Sequence, residues 1–210
     1  MPKIVDHEQR RRDLAEALWR VVAKAGPSAV SIRAVAAEAG WSAGALRHYF
    51  QTRDELLEFA IELAEEGITQ RIQARAQVGG DDEPVLERAA AFIEELLPLD
   101  ERRRAEFRIW QAVGEDFHQA HDEGDRRRWT AQRELYRSVA LALYGDRSPD
   151  TAQREEWVAA WAAYLHVFCD GLAAQAMFAP ARMPPDEARG LLRRFLADVA
   201  RSAGETASAR

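Results

Sequence analysis

Between Ser31 and Phe50 the chain reads SIRAVAAEAGWSAGALRHYF, two stretches that each open on a serine and are parted by Gly40. In the first, Ile32, Val35, Ala36 and Ala39 recur at i, i+3, i+4 and i+7, which is one face of a helix. Ser31 suits the N-cap, because its hydroxyl can accept from a backbone N–H that has no partner in the first turn. Gly40 supplies the turn conformation that side chains resist. Ser42 caps the next helix, and Leu46 and Phe50 point inward at i and i+4. Two short helices, a glycine turn and a small residue at the crossing, Ala36, describe a helix-turn-helix. The turn, the crossing and the anchor Leu46 are fixed together, so the pattern constrains the fold more than an apolar stripe does.

Helical periodicity continues on both sides. Leu14, Leu18, Val21, Val22 and Ala25 share one face of a first helix over 8–25, and Gly26-Pro27 ends it. Thr52 caps a fourth helix over 53–76, with Glu55 placed for a capping box. Further helices fall near 83–97, 101–118, 125–144, 151–178 and 185–203, broken at Pro98, HDEGD, GDRSPD and PARMPP. The tail GETASAR reads as disordered. No alternating strand pattern competes. The fold class is all-α, with about nine helices: a three-helix domain over 1–53, then a larger bundle over 54–210.

Charge narrows the partners. The net charge of -6 divides into about +4 over residues 1–53, where nine Lys/Arg face five Asp/Glu, and about -10 over the remainder. A basic quarter on an acidic protein points to a polyanion. The single Cys169 rules out an intrachain disulfide and suits a reducing compartment. No run approaches the roughly 18 apolar residues of a membrane span, and no secretory stretch opens the chain, so a cytoplasmic protein without a membrane partner is expected. No nucleophile triad, phosphate-cradling glycine loop or dinucleotide fingerprint is present, and no enzyme activity or cofactor is expected.

The second helix of the motif carries Ala43, Gly44 and Ala45, small residues that let a helix backbone sit deep in a major groove about 12 Å wide. Its end is crowded with Arg47, His48 and Tyr49, where phosphates and base edges pass. Over IRAVAAEAGWSAGALRHYFQTRDELL the sequence resembles the TetR family of bacterial transcriptional repressors. The resemblance rests on the Ala36/Gly40 pair, on Gly44 and Leu46, on Tyr49-Phe50, and on a basic residue before an acidic pair and two leucines. It implies a homodimer on palindromic operator DNA, with a ligand-binding and dimerisation bundle after the DNA-binding domain. DGLAAQAMF, residues 170–178, resembles the subgroup that includes the choline-responsive betaine-pathway repressor.

The resemblance also assigns roles. Arg33 matches an arginine that reaches a guanine edge in the tetracycline repressor, and a surface arginine bonded only to phosphate is its alternative. Ser31, Ser42 and Thr52 stand where caps and phosphate contacts coincide. Ala43 and Ala45 offer methyls to thymine. Tyr49 matches the family's aromatic phosphate contact, and Arg53 stands where lysine is usual. Arg47 departs from the tyrosine many members carry, so base preference does not carry over.

An effector site is expected between bundle helices. Trp110, Trp129, Trp161 and Phe168, with Asp170 as polar anchor, suit a small apolar or cationic ligand, core packing being the alternative reading of the rings. The last two helices offer broad apolar faces, including Leu192 and Phe195, for pairing with a second copy. A rival function is a metal-binding bundle. Glu115 and His118 have Glu-x-x-His spacing, His121 and Asp122 follow, and His166, Cys169 and Asp170 recur on another helix. No second Glu-x-x-His pair exists, so no metal is assigned.

Overall fold

A computed structural model describes residues 3–78, 83–117, 123–147 and 150–208. Among these, every regular element is helical. The helices are α1 (Lys3–Ala25), α2 (Ile32–Ala39), α3 (Ala43–Arg47), α4 (Arg53–Val78), α5 (Val85–Glu94), α6 (Glu101–Phe117), α7 (Glu123–Tyr144), α8 (Thr151–Phe178) and α9 (Pro185–Ser208). A 3-10 turn over Pro27–Ala29 joins α1 to α2. The sequence placed the breaks within a few residues. It missed the 3-10 turn and the early start of α1, and it ended the last helix too soon. Helix α9 runs through Ser208 in place of the disorder expected from Gly204 onward.

The chain divides into two compact units. One holds residues 1–70 with 101–120, the other 71–100 with 121–210, and the division falls within α4. In the first unit, Leu14, Leu18 and Val22 of α1 meet Val35 and Ala36 of α2, Leu46 of α3, Leu56 and Ala60 of α4, and Ile109 of α6 in one core. Burying a leucine there contributes about 1.5–3 kcal/mol. Glu38 of α2 accepts from Arg20 at 2.8 Å and Lys24 at 2.9 Å, both on α1. The hydrogen bonds from Lys24 and then Arg20 hold its carboxyl below the usual range.

In the second unit, α5, α7, α8 and α9 pack together. Arg193 on α9 reaches Glu94 at 2.8 Å and Glu87 at 3.2 Å, and Arg189 reaches Glu94 at 3.1 Å, tying α9 to α5. Trp157 Nε1 donates to Ser202 Oγ at 3.3 Å between α8 and α9. By length and composition α8 would pass for a membrane span. Its apolarity has another cause, because it is buried along Val158, Ala162, Leu165, Cys169 and Leu172. Tyr164, Val167 and Phe178 remain exposed on its opposite side, a large apolar stripe at i, i+3 and i+14. Leu192, expected on a pairing face of α9, is wholly buried inside the unit, as are Ala188, Leu196 and Val199. Phe195 is the residue turned toward α8, stacked on Phe168 at 4.0 Å.

Candidate nucleic-acid interface and effector site

The motif closes as its serines and glycine require. Ser31 Oγ accepts from the N–H of Ala34 and Ser42 Oγ from that of Ala45, each at 3.1 Å. Gly40 takes φ 72°, the left-handed conformation that ends a helix. Trp41 N–H then donates to the Ala36 carbonyl at 2.8 Å, folding the turn back over α2. Leu46 is fully buried and pins α3 against Val35 and Ala36. Helix α3 is five residues long, and the chain leaves it through a turn at His48 and Tyr49.

The outer side of this motif is polar and open. Ser31, Arg33, Ser42, Gly44, Arg47, His48, Tyr49 and Thr52 are exposed, and Arg53 is half-buried. Ala43 and Ala45 are half-buried, and Ala43 packs against the core, so less of its methyl faces outward than the sequence suggested. A Cβ built on Gly44 would meet only Ser42 Oγ, at 3.9 Å, so no internal contact demands a glycine there.

Thr52 Oγ1 accepts from Glu55 N–H at 3.2 Å, while the Glu55 carboxylate reaches back to Gln51 N–H at 2.7 Å, one residue beyond a standard capping box. Arg53 donates to the Pro27 carbonyl at 3.5 Å, which steadies the start of α4. The Tyr49 ring leans on Trp41 at 5.8 Å, and its hydroxyl accepts from Arg10 of α1 at 3.4 Å. Arg10 escaped sequence reasoning because no helical period links residues 39 apart.

The five residues expected around an effector do not form one cluster. Trp110 packs on the core of the first unit, drawn there by Ala105 and Ile109 of α6. Trp161 and Phe168 sit with Phe195 of α9, at 6.2 and 4.0 Å. Trp129 and Asp170 belong to a separate group between α7 and α8. There the ring of buried His166 lies 6.0 Å from Trp129 and 5.1 Å from Tyr136. His166 Nε2 stands 3.5 Å from the Asp170 carboxylate, and Gln132 donates to Asp170 at 3.4 Å. The Arg133 guanidinium lies over Trp129, 4.7 Å from the ring centre.

Electrostatics in this group follow from burial. Desolvation lowers the His166 pKa, against the pull of Asp170, so the neutral imidazole is favoured. Desolvation raises that of Asp170, against His166. Burial pushes the Cys169 thiol up to about 12 and also raises the Tyr136 phenol. The group therefore sets the exposed Trp129 ring beside one carboxylate, over a buried thiol and phenol that stay protonated near neutrality. Sequence reasoning had no signal for Gln132 and Arg133, since their role depends on which face of α7 meets α8.

Among the described residues no three His, Cys, Asp or Glu side chains converge to hold a metal. His118, His121 and Asp122 of the metal reading lie outside the described residues, as does the side chain of Glu115.

A capped, basic-edged helix-turn-helix followed by a helical bundle defines a DNA-binding regulator with a separate signalling part. Comparison with known proteins agrees over both parts. Residues 14–60 match the family model described as bacterial regulatory proteins, tetR family, and residues 85–201 match that of BetI-type transcriptional repressors, C-terminal. The chain belongs to the TetR family of transcriptional regulators, and its C-terminal part is of BetI type. It is 33% identical over 205 residues to the HTH-type transcriptional regulator PksA of Bacillus subtilis, covering 95% of this chain and 94% of that protein. The HTH-type transcriptional regulator BetI of Proteus mirabilis is 29% identical over 112 residues, 53% of this chain and 56% of its own length. A transcriptional regulator from Rhodococcus sp. Rha1 superposes with a TM-score of 0.72 at 28% identity, over 92% of this chain and 97% of its own. Members of the family are ligand-responsive, DNA-binding repressors that dimerise. Nothing in these comparisons supports the metal-binding alternative.

Proposed function

We propose that residues 1–53 read a palindromic operator, and that residues 54–210 bind a small effector and pair two copies. The observation that carries the reading is the outer face of α3, open at Gly44 and edged by Arg47, His48 and Tyr49. Small residues admit the helix to the major groove. Ser31, Ser42 and Thr52 spend their hydroxyl oxygens on caps, and each O–H can still donate to a phosphate. Tyr49 and Arg53 take phosphates, Arg33 reads a guanine edge, and Arg47 and His48 flank the bases. Ala43 and Ala45 lie against thymine methyls.

The pairing surface is the exposed stripe of α8, Tyr164, Val167 and Phe178, continued by α9 around Phe195. The effector, a small cation or apolar molecule, is held between α7 and α8, with exposed Trp129 giving a ring face and Asp170 the anchor. Helix α4 begins at Arg53 and runs past the division between the units, so both sites can bias it. An effector that prefers one spacing of the DNA heads shifts operator affinity by its own differential affinity, about 1–3 kcal/mol.

The test is binding to the region upstream of the protein's own gene and to duplexes recovered by selection, in low and high salt. Arg33→Ala is expected to relax preference at one position per half-site. Arg53→Ala is expected to weaken binding to all sequences alike. Binding unchanged in both variants, or absent in the unaltered protein at low salt, would refute the assignment.

A further inference from the structure

We infer that Arg10 of α1 is a second DNA-positioning residue, acting with Tyr49 as a two-donor clamp on one backbone phosphate. The inference rests on the DNA-binding reading above. Arg10 lies outside residues 14–60, the segment matched by the family's DNA-binding model. Its guanidinium nevertheless reaches across 39 residues to the Tyr49 hydroxyl at 3.4 Å. Tyr49 stands just beyond the end of α3, held at that edge by Trp41.

The chemistry of the pair favours an anion. The phenol oxygen accepts from Arg10, and a phenol that accepts from a cation becomes a better donor of its own proton. A guanidinium carries five N–H donors in a fork that matches phosphate geometry. With the two donor atoms 3.4 Å apart, the two oxygens of one phosphate can accept from both. The clamp joins α1 to the exit of α3, so it fixes the angle at which the reading helix meets the duplex.

The experiment is fluorescence anisotropy of the full-length protein on a labelled operator duplex across a salt series, with circular dichroism of each variant. Each phosphate neutralised by a cation contributes about 0.9 to the slope of log K against log salt. Arg10→Ala is therefore expected to flatten the slope by about two units per dimer, one contact on each half-site. Arg10→Lys is expected to keep the slope while losing part of the affinity. Tyr49→Phe, which removes a neutral donor, is expected to weaken binding at an unchanged slope. Adding Arg10→Ala to Tyr49→Phe is expected to cost less than Arg10→Ala alone. Arg20→Ala serves as the control that leaves the slope alone. An Arg10→Ala slope equal to that of the unaltered protein overturns the clamp, and so do fully additive losses in the double variant. An unaltered protein that binds no duplex at any salt takes down the DNA reading and the clamp together.

Discussion

Val167 is 72% exposed on α8, between Tyr164 and Phe178, and glutamate in its place tests the pairing surface directly. Fully burying a valine side chain is worth about 1.5–3 kcal/mol. With most of that surface still open in the single chain, each copy would forfeit about 1–2 kcal/mol, and the dimer about 2–4 kcal/mol. At 1.4 kcal/mol per decade this weakens dimerisation roughly 30- to 700-fold. The figure is a lower bound, because two carboxylates brought together near a two-fold axis repel and lose water. Sedimentation velocity at micromolar concentration reads the result, and circular dichroism checks that the helices persist. Val167→Glu is expected to give folded monomers that lose operator binding. The same charge at Leu192 cannot separate the two effects, because that side chain is buried inside the unit and its loss would unfold it. A Val167→Glu protein that stays dimeric with unchanged affinity would refute the α8 seam.

Two further outcomes follow from the cores. Leu46→Ala empties a fully buried position under α3, and is expected to cost the first unit about 2–5 kcal/mol in chemical denaturation. An unchanged midpoint would mean that α3 is not anchored there. His166, facing Asp170 on its own helix and Arg133 across from it, has its pKa lowered by burial, so the unfolded chain protonates first. Stability from this residue is therefore complete above its ordinary value of 6.5 and declines as the pH falls below it, by no more than about 1.4 kcal/mol per unit. His166→Gln is expected to flatten that decline, and a decline of the same steepness in both proteins would assign it to other groups.

Local signals were read correctly from sequence where one residue decides the backbone. Ser31, Gly40, Ser42 and Thr52 each commit a helix end through a single hydrogen bond or a single dihedral, so the motif was legible without any tertiary knowledge. The aromatic residues were legible only as apolar. Which of them share a site depends on which helix faces which, and α6 carries Trp110 into the first unit while α7 and α9 divide the others. The start of α1 was missed because its first turn lacks an apolar period. Helix α9 ran on because Gly204 lowers helix propensity by about 1 kcal/mol without breaking the chain's hydrogen bonds. The Arg10–Tyr49 contact belongs to tertiary structure alone.

Gly44 has a genetic consequence. No strained dihedral and no neighbouring atom requires glycine at that position, so a bulkier residue there would leave the fold intact and spoil only the face offered to DNA. Such a chain would keep the helical bundle that follows, and with it the means to dimerise. In a cell that makes both versions equally, about half the dimers would then carry one working head and one blind one, and about a quarter two blind ones. Damage at this residue would therefore act in trans, silencing the products of the healthy gene.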